Sequence, residues 1–419
     1  MAGMVVTTIH TLIASPLNIQ QSIESRLPTG DYLPNADNPL IRVVIKTNGF
    51  QHIAHNKIEI SAEHGLLIKS EKQTMQEIAP NEHTIISPEN ENFQKGSIWI
   101  TTKADNDRIV VHSLTRGYGN PSYRGKLELY STAEGIVIVN ELPVEEYLYA
   151  VVPSEMPASY QKEALKCQAI CARSYAYCQM QVYGYPEYYA HVDDSVSYQV
   201  YGNSAEKETT KQAVNETTGK KLWYKGEVVK TYYYSTSCGH STSVEAWGTK
   251  LTEDNHYLKG VPICDENGDA YETAMPWYRW EAVISCQMLS NLIELNTGEE
   301  LGDLQNVEIT KKGIGGVALQ LTVTGTKKTI TIETENKIRS VLGGGGYQIT
   351  KQDGTKVRST KLLPSAFFTI ERNDKNYIVK GGGYGHGIGM SQNGANEMAK
   401  AGKTYEEILE FFYPNTQVM

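Results

Sequence analysis

The chain has 419 residues, with 39 Lys+Arg against 48 Asp+Glu for a formal net charge of −9, and it is 40% apolar and 21% charged. These values suit two or three folded domains and exclude a disordered chain, while the acidic balance without a basic run excludes nucleic acid as a partner. No stretch approaches the roughly 18 apolar residues of a membrane-spanning helix, and six cysteines are too few for a disulfide framework.

In chain order, residues 1–38 carry Pro16, Pro28, Gly30 and Pro34 without a sustained period and read as an N-terminal arm. The run from Met4 to Ala14 is broken by Thr7, Thr8, His10 and Thr11, and the first cation is Arg26, so it lacks the pattern of a signal peptide. Residues 39–120 hold short β-type runs such as Ile41-Arg-Val-Val-Ile45 and Ser97-Ile-Trp-Ile-Thr101, which predict a β-rich module. The strand pair Gly125 to Tyr130 and Gly135 to Asn140 opens a region spanning 121–419. It leads into Pro153-Ser-Glu-Met-Pro157, read as a Pro-bracketed turn before a long helix from about Ser159 to Val182.

Further on, Tyr232-Tyr-Tyr-Ser235 predicts a strand running into the polar loop Thr236 to Ser243, and the alternation from Val307 to Arg339 marks residues 270–375 as a second β-rich subdomain. The C-terminal part carries Gly381-Gly-Gly-Tyr-Gly-His-Gly-Ile-Gly-Met-Ser-Gln392, a helix ending near Gly402, and a capping box in which Thr404 precedes Glu407 by three positions. The glycine run fits neither the dinucleotide fingerprint nor the P-loop. It suits close backbone approach to a ligand or to the protein itself, with His386 and Gln392 projecting.

Glu155 is the sharpest chemical candidate. Two prolines stiffen its backbone, and Val151, Val152 and Met156 offer an apolar wall that would raise a carboxyl pKa towards that of a general acid. A solvated turn residue, or a carboxylate at a helix N-terminus, is the plainer reading. Cys238 and His240 could be a nucleophile and base, but two positions apart is awkward for such a pair. A zinc set of His240, His256 and Cys264 matches no standard spacing. Ser235, Ser237, His240 and Thr242 equally suit a hydrogen-bonding loop. Cys167, Cys171 and Cys178 fall on one helix face as packing thiols, and the 27 tyrosines suit sugar stacking or simple composition bias.

Taken together, Glu146-Tyr-Leu-Tyr-Ala-Val-Val-Pro-Ser-Glu-Met-Pro157, Glu163-Ala-Leu-Lys-Cys-Gln-Ala-Ile-Cys-Ala-Arg-Ser-Tyr-Ala176, Tyr234-Ser-Thr-Ser-Cys-Gly-His-Ser-Thr242, Pro364-Ser-Ala-Phe367 and Gly383 to Ala395 resemble the stage II sporulation protein D family. The resemblance covers roughly residues 121–416. It implies an α+β fold, a helical catalytic region with flanking β-rich modules around a glycan groove. The activity implied is that of a peptidoglycan lytic transglycosylase acting on strands stripped of stem peptides, outside the cytoplasmic membrane. An export or anchor segment is accordingly expected beyond this sequence. The family's catalytic glutamate matches Glu155, its helix arginine matches Arg173, and a further lysine matches Lys259. Substrate contacts are expected from Lys259, Tyr201, Ser235, Ser237, His240, Tyr384, His386 and Gln392. Arg173 is expected either to orient Glu155, to grip the lactyl carboxylate of muramic acid, or to serve as a structural ion pair. No cofactor is implied. Some members bind zinc just before the Gln-Val-Tyr that is Gln199-Val-Tyr201 here, but Val192-Asp-Asp-Ser-Val-Ser-Tyr198 offers neither Cys nor His, so no metal is expected there. A cell-wall amidase is a possible partner, through the non-catalytic amidase-enhancer relatives of the family.

Overall fold

The computed structural model describes residues 38–69 and 74–419. Apart from Asn38, the expected N-terminal arm lies outside the described residues. The chain divides into two units, one of residues 38–151 with Gln179–Ala205 and the other of Val152–Cys178 with Glu206–Met419. Helices and several mixed sheets together make an α+β protein.

In the first unit the near-continuous apolar run Gly135–Pro143 forms a strand with eight buried residues. Such a run suits a strand covered on both faces. It pairs antiparallel with Leu40–Ile45 on one side and Lys126–Thr132 on the other, inside an eight-stranded sheet. The pair 125–140, read from sequence as the opening of the catalytic region, is thus part of the sheet of the first unit. Arg42 is buried in that sheet and satisfied by Glu141 at 2.6 Å and Glu128 at 2.5 Å. This arrangement keeps both carboxylates from being buried unpaired.

Helix α1 (Val144–Glu155) reaches the second unit with its last turn, and α2 (Lys162–Gln179) follows. The second unit also holds α3 (Glu208–Glu216), α4 (Cys286–Thr297), α5 (Glu335–Leu342), α6 (Gln392–Lys400) and α7 (Tyr405–Phe412). Its central sheet has five strands. Trp280–Ser285 lies in the middle, between Asn376–Gly381 and Gln348–Lys351, and alternates buried and exposed along its length. This is the period-two pattern of a sheet with one open face. The expected capping box is present at Thr404 and Glu407.

Candidate functional site

Glu155 is the last residue of α1, with Pro153 inside the helix, so the segment is a helix end rather than the Pro-bracketed turn read from sequence. Pro153 forfeits one amide donor to the preceding turn, yet the helix runs on to Glu155, and Met156 N closes the last turn on Val152 O at 2.9 Å. Glu155 itself is half-buried. The plainer reading of a helix N-terminal carboxylate is therefore corrected: the residue ends α1 and opens no helix.

Gln392 is placed beside it by the N-terminus of α6. Its Nε2 donates to the Glu155 carbonyl at 3.0 Å and to Gln168 Oε1 at 3.2 Å, which satisfies one of the orphan carbonyls of the helix end. The next residue, Asn393, ties in the polar loop. Its side chain donates to Ser235 O at 3.1 Å and Thr236 Oγ1 at 2.9 Å, and it accepts from Tyr160 Oη at 2.5 Å. Tyr384 completes the set through a backbone pair with Thr236, at 2.8 and 3.1 Å. The glycine run permits this approach. Gly385 and Gly389 have φ of 119° and 77°, and a Cβ on Gly389 would stand 2.0 Å from Tyr232 O. Glu155, the 235–237 loop, Tyr384 and Gln392 are therefore one bonded network within the second unit.

Beneath it lies a carboxyl that the sequence reading missed. Glu272 is buried, and it accepts from Ser237 N at 2.9 Å, from Ser237 Oγ, and from Ser391 Oγ at 2.7 Å. Burial pushes its pKa up while the donated hydrogen bonds oppose that shift. Ser391 also caps α6, accepting from Gly394 N at 3.2 Å. Glu272 sits in Tyr271-Glu-Thr273 with no motif around it, so only the fold could reveal it. Asn393 was legible as a helix-start residue next to Gln392.

The other expected site residues fall in different places. Ser237 is buried and committed to Glu272, so it is part of the scaffold. His240 is half-buried, with Nδ1 on Ser241 O at 2.5 Å. Lys259 caps the short turn His256–Leu258 and is carried by a segment that pairs with the 240–242 loop through Val261 and Ser241. His386 accepts from Ile388 N at 3.1 Å, and its ring lies near Tyr234 and Trp247. Although part of the residue is accessible, burial of the ring, with Arg339 adding, pushes its pKa down to about 3, so the imidazole is neutral at neutral pH.

Two of the expected site residues are deeply buried. Arg173 is fully buried, and its guanidinium donates to Lys220 O at 3.0 Å, Val214 O at 3.3 Å and Thr217 Oγ1 at 3.5 Å. It closes the C-terminal end of α3, where a cation is favoured, and from there it does not grip a substrate carboxylate. Tyr201 belongs to the first unit, 2% exposed, with the Tyr123 and Tyr147 rings against it and its hydroxyl on Asn140 Oδ1 at 2.7 Å. Buried to that degree, it is a core residue and offers no open face to a sugar. In the Val192 to Tyr198 segment, Asp193 accepts from Ser195 N, Ser195 Oγ and Tyr185 Oη at 2.8, 2.6 and 2.6 Å. The cysteine nucleophile reading also weakens, because burial raises the Cys238 pKa and so disfavours the reactive thiolate.

A model described as stage II sporulation protein matches residues 132–224, and a domain of unknown function matches residues 250–389. An uncharacterised protein of Brachyspira hyodysenteriae is 33% identical over 302 residues, covering 71% of this chain and 72% of that protein. Stage II sporulation protein D of Bacillus subtilis is 31% identical over 307 residues, covering 70% of this chain and 78% of the relative. The amidase enhancer of Bacillus subtilis is 30% identical over 302 residues, and there the chain spans 40% of the relative's length.

Proposed function

The chain belongs to the stage II sporulation protein D family, and from that premise we propose that it is a peptidoglycan lytic transglycosylase with Glu155 as its general acid and base. The observation that carries the reading is the placement of half-buried Glu155 at the end of α1, where its backbone carbonyl accepts from Gln392 and the next residue, Asn393, bonds the 235–236 loop. A carboxyl at such a junction of helix end and polar loops is suited to meet a glycosidic oxygen and exchange a proton with it.

The chemistry needs one such group. Glu155 protonates the oxygen between N-acetylmuramic acid and N-acetylglucosamine as the bond to C1 breaks. The resulting carboxylate takes the proton of the muramyl C6 hydroxyl as its oxygen bonds to C1, which leaves a 1,6-anhydro ring and consumes no water. Hydrolytic glycosidases instead need a second carboxylate for water or for a covalent intermediate, and Glu272 is too deeply buried and too fully bonded to be that group. Acid and base assistance of this kind contributes about 10²–10⁴-fold. Arg173 is a positioning residue that holds α2 against the end of α3. The substrate places the action outside the cytoplasm. Among the described residues no helix is long and apolar enough to cross a membrane.

The test is mass spectrometry of products from peptide-free and intact glycan strands, digested with the wild-type chain and with Glu155→Gln. Anhydro-muramyl ends that vanish in the variant support the reading, and reducing ends would replace it with hydrolysis. Folded protein that yields no products on either substrate would favour the second reading, stimulation of a cell-wall amidase, to which the relative named amidase enhancer points.

A further inference from the structure

A cleft of about 800 Å³ opens on the five-stranded sheet of the second unit, and Glu155 is not among its lining residues. Its charged lining is Arg279, Lys312, Lys351 and Lys380 against Glu281 alone. Those five residues fall within the span matched by the domain of unknown function, in a chain whose net charge is −9. The imbalance is local. A second recess that shares Lys312 sets it and Lys250 and Lys311 against Glu245 and Glu333, so charge there nearly cancels. Several like charges converging on a concave surface focus their potential and raise the local concentration of a counter-charged ligand.

The cations are also held in place. Arg279 stacks on Tyr278, its Cζ 4.0 Å from the ring centroid, and Nη1 donates to Cys238 O and Tyr278 O at 3.0 and 2.7 Å. Lys351 Nζ lies 4.8 Å from the Trp277 ring. Contacts of this kind orient a cation without neutralising it. Among the described residues, Lys380 has a carboxylate within 4 Å, Glu281 at 3.9 Å, and Lys351 also acts electrostatically on Asp353 outside the lining. Trp277 in turn packs on Tyr384 at 4.8 Å between centroids, and Tyr384 is 41% exposed. Because Tyr384 pairs with Thr236, an aromatic step runs from the Glu155 network to the cation that edges the cleft. Rings with one wet face are suited to stack on sugars.

We propose that this cleft binds the oxyanion groups, carboxylate or phosphate, of an anionic carbohydrate polymer, with Trp277 and Tyr384 stacking on a sugar beside them. The inference goes beyond the cleavage reading and does not depend on it, because it concerns affinity alone.

The test is equilibrium binding of the whole chain carrying Glu155→Gln, so that no polymer is consumed. The probes are peptide-free peptidoglycan strands, poly(glycerol phosphate), and neutral N-acetylglucosamine oligomers. Reversing Lys312, Lys351 and Lys380 to Glu should weaken binding of at least one anionic polymer by about tenfold or more at low salt, and added salt should shrink the difference. A control with Lys327→Glu and Lys328→Glu, a surface pair outside the cleft, should change affinity by less than about twofold. The polymer that responds identifies carboxylate or phosphate as the source. If the triple variant melts early, Lys351→Gln and Lys380→Gln singly should each weaken binding by about two- to fivefold. Unchanged affinity for both anionic polymers, equal losses in variant and control, or equal loss with the neutral oligomers would overturn the proposal.

Discussion

Replacing Glu272 tests whether the site rests on the buried carboxyl beneath it. Glu272→Ala removes the acceptor of three hydrogen bonds. The Ser237 amide cannot rotate to a new partner, and stranding a buried donor costs about 1–3 kcal/mol. Each of the two serine hydroxyls loses about 0.5–1.5 kcal/mol net. The expected loss is therefore about 4 kcal/mol, or about 1.3 M urea in the unfolding midpoint for a slope near 3 kcal/mol/M. Glu272→Gln keeps one oxygen for Ser237 N and Ser391 Oγ and offers an amide to Ser237 Oγ, so it should stay within about 1 kcal/mol of the parent. The two variants also separate in pH. Burial raises the folded pKa of Glu272 above its ordinary value of 4.5, so the folded state holds this proton to higher pH than the unfolded state does. Wild-type stability relative to Glu272→Gln should then fall as pH rises above about 4.5 and through the folded pKa. Urea melts at several pH values read both effects. Equal losses in the two variants, or a loss below about 1 kcal/mol in Glu272→Ala, would refute the account.

Arg173→Met should destabilise the protein by about 2–4 kcal/mol by stranding the carbonyls at the end of α3, with Arg173→Lys recovering part of this; a raised KM on glycan strands at unchanged stability would instead mean that Arg173 touches substrate. His386, with its pKa pushed down to about 3, contributes stability that is fully present above about pH 6.5 and is lost as pH falls towards 3. His386→Asn, whose oxygen can still accept from Ile388 N, should therefore remove about 1 kcal/mol of the acid-side loss between pH 7.5 and 5.5, measured by melts of the two proteins side by side. Iodoacetamide at neutral pH should leave glycan cleavage intact, because burial holds Cys167, Cys171 and Cys238 as thiols, Cys171 with its pKa pushed up to about 12; inactivation that tracks labelling of Cys238 would revive the nucleophile reading.

What the sequence determined by itself are the features written in short range. The capping box at Thr404 and the alternation of Leu319 to Val323 depend on neighbours a few positions apart, and the structure shows both. The motifs around Glu155, Ser235 and Gly383 sufficed for the family, since each is a contiguous string. Tertiary structure decided everything that depends on who lies opposite. Whether Pro153 breaks or ends a helix was settled by where α1 stops, and whether Arg173 faces a substrate or a helix end by the docking of α3 against α2. Tyr201 looked available because a motif does not record that the fold buries it against Tyr123 and Tyr147. Glu272 was invisible for the same reason. Its three donors come from Ser237 and Ser391, 35 and 119 positions away, and the desolvation that gives the group its character is a property of the folded interior.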